Sequence, residues 1–152
     1  PHRFLSITKQ GVAAIVHTKG NPTAHLILRG STKGTNYDKE SVALAAKELA
    51  QADILPRIIV DCSHGNSNKD FTRQPIVARD VAKQVAEGSE TLMGVMLESH
   101  IKEGNQKEAP LAKLEYGKSI TDACISFETT APLLDELANA VKKRRTIKKA
   151  VA

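Results

Sequence analysis

The stretch Arg57-Ile58-Ile59-Val60-Asp61-Cys62-Ser63-His64-Gly65-Asn66-Ser67-Asn68-Lys69-Asp70-Phe71 (residues 57–71) decides the fold. Its first half is a short apolar run introduced by Pro56, which reads as a buried strand. Its second half is not an ordinary turn. Asp, Cys, Ser and His can bind metals or carry protons, and Gly65 to Lys69 form a polar loop. A helical pattern follows from about Gln74 to Glu87, with Val77, Val81 and Val85 on one face and Gly88 at its C-terminal end.

The same strand–loop–helix unit recurs on both sides. Upstream, His25-Leu26-Ile27-Leu28 is an apolar strand that exits at Arg29-Gly30. It leads through Ser31–Asp38 into a helix over Ser41–Ala50 with Val42, Ala45, Ala46 and Leu49 on its apolar face. Downstream, the strand Leu92–Leu97 exits at Glu98. A long loop from Ser99 to about Thr129 precedes a last helix from about Ala131 to Arg145, with Leu133, Leu134, Leu137, Ala138 and Val141 on one face and Pro132 in its first turn. Before the first unit, Phe4–Thr8 and Val12–Thr18 flank Gly11 and read as a β-hairpin. Short strands that are apolar throughout and alternate with helices predict an α/β fold of parallel strands buried on both faces.

Composition narrows the class. The 152 residues are 41% apolar and 26% charged, with three Phe, two Tyr and no Trp, so the core is built from Val, Ile, Leu and Ala. The two cysteines, Cys62 and Cys124, form no CxxC pair, and their use fits a reducing, cytoplasmic compartment. No apolar stretch reaches membrane-spanning length and no signal peptide is visible, so no membrane partner is expected. The first residue, Pro1, reads as the start of a chain cut from something longer, or of one that lost its start. The formal charge of +5 lies mostly in Lys142-Lys143-Arg144-Arg145 and Lys148-Lys149. Without interleaved aromatics or a DNA-reading motif, this run reads as a solvated helix end and basic tail rather than a nucleic-acid surface. No GxGxxG or Walker A pattern supports nucleotide binding.

The strand exits carry the chemistry. In α/β folds ligands gather at the C-terminal ends of parallel strands. Alignment would bring Arg29, His64 and Glu98 to one rim. Arg29 is a permanent cationic fork for phosphate or carboxylate. His64 and Glu98 suit a divalent metal such as Mn, Fe, Co or Zn, with Asp122 in Ser119–Cys124 as a further oxygen donor or, alternatively, a turn cap. Cys62 reads as packing, and Cys124 as a structural cysteine.

The motifs "HLILRG" (25–30), "DCSHGNSNKDF" (61–71), "GVMLESHIKEGNQ" (94–106) and "YGKSITDAC" (116–124), in this order and spacing, resemble the type I 3-deoxy-D-arabino-heptulosonate 7-phosphate synthases. The likeness runs from "PHRFLSITKQG" to "LANAVKKRR". It implies a (β/α)8 barrel of which residues 1–152 are the C-terminal half. Residues 1–18 would be an inserted hairpin, 19–145 the last three βα units and 146–152 a basic tail. It implies metal-dependent condensation of phosphoenolpyruvate with erythrose 4-phosphate, the first step of the shikimate pathway to aromatic amino acids. His64, Glu98 and Asp122 would be metal ligands, Arg29 would hold phosphoenolpyruvate, and His64 and Arg29 would also be catalytic. Phe4 and Ser6 of the hairpin would belong to a feedback site for an aromatic amino acid, or to a subunit contact. The family's fourth ligand, a cysteine in an earlier strand loop, has no matching motif here. A lone half-barrel exposes strand edges and apolar faces, so either the other half exists elsewhere, or the chain pairs with a copy of itself, or it is only a structural piece; a homo-oligomer is the expected state. The alternatives are a half-barrel that binds metal or phosphate without turnover, and a nucleic-acid binder using the basic tail.

Overall fold

A computed structural model describes residues 1–151, with side chains described as far as Ile147. Lys148 and Lys149 of the basic run lie outside the described side chains. The three apolar runs form short strands, β3 (Leu26–Leu28), β4 (Ile58–Asp61) and β5 (Leu92–Met96), after the hairpin strands β1 (Arg3–Ile7) and β2 (Ala13–His17). β3, β4 and β5 lie side by side in chain order, all parallel. The helices are α1 (Lys39–Gln51), α2 (Gln74–Ala86) and α3 (Phe127–Val151).

Only one face of this sheet is buried, against the expectation of two. Leu28, Ile58, Val60 and Leu92 join Val42, Val77, Val81, Val85 and Leu133 in the core. On the other face Ile27 is 42% and Met96 40% exposed. Among the described residues nothing covers that face, because α1, α2 and α3 supply a single layer.

The helix ends follow local chemistry. Asp38 caps α1, its carboxylate accepting from the Ser41 backbone N–H and hydroxyl. α2 ends where the Gly88 N–H donates to Val85 O and the Ser89 N–H to Gln84 O. This paired closure needs a left-handed residue, and Gly88 supplies it at φ 108°.

The last third departs from the expected layout. α3 starts at Phe127, before Ala131, because the Ser126 hydroxyl accepts the Thr129 N–H and caps the helix early. Pro132 therefore lies inside the helix, not in its first turn. The buried stripe is Leu133, Leu137, Ala140 and Val141, whereas Leu134 and Ala138 face outward. The 99–129 segment is not all loop. β6 (Ser99–His100) pairs in parallel with β7 (Ile125–Ser126), so a further parallel pair continues past the end of β5. Arg144 is not a solvated tail residue. Its guanidinium donates to Ser89 O at 2.8 Å and Leu92 O at 3.1 Å, tying α3 to the start of β5.

A backbone contact brings the β3 and β4 exits together. Gly30 has φ +72°, and a Cβ there would meet Asn66 N and Gly65 C at 2.6 Å. A Cβ on Gly65 would in turn sit 2.6 Å from Gly30 C. Fully buried Asn66 fastens this crossing: its amide donates to Leu28 O and Asp61 O, and its carbonyl accepts the Asn36 N–H. Gly30→Ala is expected to cost at least ~1–3 kcal/mol from backbone strain alone. Gly94→Ala, whose added Cβ would be 3.9 Å from its nearest neighbour, should stay within roughly 0.5 kcal/mol. Urea unfolding of both variants checks this, and equal midpoints would refute the crossing as a constraint.

Candidate metal and anion site

Past the sheet's C-terminal edge lies a cavity of about 290 Å³, lined among others by Arg29, His64, Lys69, Glu98 and Asp122. None of the predicted site residues is the last residue of a strand. Arg29 follows β3 directly, His64 lies three residues beyond β4, and Glu98 two beyond β5. The loops carry them to a common point. His64 takes a left-handed conformation, φ 48°, which turns its ring back over the strand end.

His64 Nε2 lies 3.5 Å from Glu98 Oε1 and 3.7 Å from Asp122 Oδ2. One donor atom from each of the three falls within 4.8 Å of the others. With metal–ligand bonds of about 2.1 Å, a tetrahedral site has edges of roughly 3.4 Å, so the spacing fits a small divalent cation. The donor set, one imidazole and two carboxylates, suits the same ions.

Asp61 decides what His64 offers. Its carboxylate is 2% exposed, with Oδ2 at 2.9 Å from His64 Nδ1. Ser63 donates its backbone N–H and its hydroxyl to Asp61 Oδ1, at 2.9 and 2.6 Å. With the Ser63 proton so committed, both neighbours of Nδ1 are acceptors, and an imidazole proton on Nδ1 is shared between Ser63 Oγ at 2.7 Å and Asp61 Oδ2 at 2.9 Å. Nε2 then presents its lone pair to Glu98 and Asp122. A carboxylate behind a ligating histidine fixes the tautomer and makes the free nitrogen a better donor. The Arg29 guanidinium, 3.9 Å from Asp61 Oδ2, adds positive charge to this buried anion while its side chain stays 62% exposed at the cavity.

Glu98 is held with its carboxyl above the usual carboxylate range. Partial burial is the main cause, opposed by His64 and reinforced by the charges of Asp122 and Asp61. A cation between these groups relieves the same penalty. Both cysteines are free thiols. Cys62, fully buried, is pushed up to about 12 by burial and by the neighbouring Asp61 charge. Cys124 is raised by burial as well, and its Sγ lies 3.5 Å from Asp122 O. Neither is poised as a thiolate.

The sequence reading did not assign roles to Asp61, Asn66 or Gln74. Asp61 had a signal, a carboxylate closing an apolar strand three residues before a histidine. Asn66 and Gln74 act through contacts 38 and 24 residues away, which no local pattern reveals. Phe4 and Ser6 lie on β1, opposite Val16 and Ala14 of β2, in a hairpin apart from this cavity.

A parallel α/β sheet with a carboxylate-backed histidine and two acids at its rim is an arrangement that could hold a divalent metal. Comparison with known proteins gives the family. Residues 2–135 match the DAHP synthetase I family, and the chain belongs to it. It is 53% identical over 150 residues to a tyrosine-inhibited phospho-2-dehydro-3-deoxyheptonate aldolase of Schizosaccharomyces pombe, covering 95% of this chain and 40% of that protein. A phenylalanine-inhibited aldolase of the same name from Saccharomyces cerevisiae is 53% identical over 151 residues, covering 95% and 41%. The solved phospho-2-dehydro-3-deoxyheptonate aldolase of Francisella tularensis superposes with a TM-score of 0.83 at 46% identity, covering 95% of this chain and 42% of that one. The chain thus spans about 40% of the length of the curated relatives it matches.

Glu98 also sets a pH dependence. Its folded-state pKa is raised, so in the metal-free chain its contribution to stability is full below the unfolded pKa and is lost as pH rises through the folded one. Glu98→Gln should therefore raise the melting temperature of the metal-free chain at neutral pH and leave it nearly unchanged in acid. Scanning calorimetry at both pH values checks this; a lower melting temperature at neutral pH would contradict the burial argument.

Proposed function

We propose that this chain is the C-terminal half of a (β/α)8 synthase that condenses phosphoenolpyruvate with erythrose 4-phosphate, releasing phosphate. The convergence of His64, Glu98 and Asp122 on one point, beside Arg29, carries this reading. Family membership supports it. His64, Glu98 and Asp122 would hold a divalent metal, Mn, Fe, Co or Zn. Such an ion supplies Lewis acidity toward a carbonyl or water oxygen.

The chain's own residues do the rest of the work assigned to it. Asp61 keeps the His64 proton on Nδ1 and Nε2 free. Arg29 binds the anionic groups of phosphoenolpyruvate and fixes its orientation toward the aldehyde. Glu98 and Asp122 bring two negative charges that match a dication. The remaining βα units and the fourth ligand belong, on this reading, to the part of the relatives that the chain does not match.

The hairpin takes a separate role. Leu5 is 78%, Ile7 73% and Ile15 67% exposed, an apolar surface suited to contact with another subunit. Phe4 and Ser6 share the opposite face of β1 and would line an aromatic amino acid effector site on the other side of the hairpin from that contact. On this reading the protein is a homo-oligomer with feedback control, and it works in the reducing cytoplasm. Among the described residues no helix is long and apolar enough to cross a membrane.

A second reading is favoured by the open face of the sheet at Ile27 and Met96. The chain by itself would bind metal and phosphate without turnover. Loss of phosphoenolpyruvate absorbance on adding erythrose 4-phosphate, with Mn²⁺ and then chelator, separates the two. Chelator-sensitive turnover that Glu98→Ala abolishes is expected for the synthase. Mn²⁺ binding without turnover supports the second reading, and wild-type turnover by Glu98→Ala sinks the ligand assignment.

A further inference from the structure

Gln74 is the first residue of α2, yet its side chain works at the end of β5. It is fully buried. Its carbonyl accepts the Glu98 N–H at 2.8 Å, and its amide N–H donates to Glu98 O at 3.1 Å. Both groups of one side-chain amide thus engage both backbone groups of one residue. This is the exchange a residue makes with its directly opposite partner in an antiparallel pair.

The position explains the need. The β4–β5 ladder ends with Asp61 opposite Met96, followed by the Cys62 N–H donating to Met96 O. Beyond that β4 turns away into the His64 loop. Leu97 and Glu98 fall between β5 and β6, where no strand flanks them on the β4 side. The same Glu98 O also accepts the Ile125 N–H at 3.0 Å. Without Gln74 the Glu98 N–H would lose its partner in a half-buried place. A neutral amide fills the gap without adding charge beside the carboxylate.

We infer that Gln74 is a positioning residue for the metal site, acting as a one-residue substitute strand that fixes the Glu98 backbone and so aims its carboxylate at His64 Nε2. The inference rests on the metal-site reading above. The Gln74 side chain bonds to the Glu98 backbone, not to the His64 ring or Asp122, and its effect passes through Glu98.

Mn²⁺ binding to the chain, followed by calorimetry and by the paramagnetic resonance spectrum of the bound ion, tests it. Gln74→Met keeps the shape and removes both bonds. Gln74→Asn keeps a neutral amide that falls one methylene short. Both should raise the Kd about 10–100-fold and change the spectrum, with the far-ultraviolet circular dichroism retained. Gln84→Met is the control. Gln84 is a second buried amide of α2, bonded to Tyr37 O and Asp80 and not to a ligand. It should lower the melting temperature while leaving Kd and spectrum as in wild type. A wild-type Kd and spectrum in either folded Gln74 variant overturns the positioning role while the metal site stands. An effect of equal size from Gln84→Met also overturns it, as general loosening of α2. Absence of Mn²⁺ binding by the wild-type chain removes the metal-site reading, and this inference with it.

Discussion

A single hydrogen bond organises the site: 2.9 Å from His64 Nδ1 to the buried carboxylate of Asp61. An unpaired carboxylate at 2% exposure would be costly to bury. Here it is satisfied by the Ser63 N–H and hydroxyl and by the His64 N–H, with the Arg29 charge nearby. The bond fixes which imidazole nitrogen is free and where it points. It joins the last residue of β4 to the loop that follows, so strand pairing and chemistry are set by the same contact.

The remaining constraints bring other strand exits to that point. Gly30 and Gly65 meet backbone to backbone, so the Arg29 and His64 loops cross at van der Waals distance. Asn66 locks the crossing from within the core. Gln74 fastens the Glu98 main chain, and the pairing of β6 with β7 draws the Asp122 loop beside it. Each of these polar contacts replaces a ladder bond at the edge where strands diverge, which is why buried amides gather there.

Much of this was legible in the sequence, and the reasons are local. Apolar runs closed by Arg29, His64 and Glu98 gave the three strands and their order, because burial against helices demands such runs. Gly88 marked a helix end through capping chemistry that acts within a few residues, whereas the Asp38 cap, which starts α1 at Lys39 rather than Ser41, went unread. The start of α3 was hidden because Thr129 and Thr130 are poor helix formers, while the Ser126 cap overrides them. β6 and β7 have two residues each, too few for any periodicity. Arg144 looked like one of a run of solvated cations, and only the folded chain shows its two carbonyl partners. Strands that read as apolar on both sides concealed the exposed face of the sheet, which only the resemblance to a half-barrel foretold.

The hairpin and the open sheet face share a physical logic. Both present apolar side chains to solvent, and both gain stability when another surface covers them. The metal site makes a sharper claim, since it names three atoms. Crystals of the chain soaked in Mn²⁺ and measured near the manganese absorption edge address it directly. An anomalous peak about 2 Å from His64 Nε2, Glu98 and Asp122 is the expected result. A peak elsewhere in the cavity, or none with the three side chains as described, would contradict the assignment.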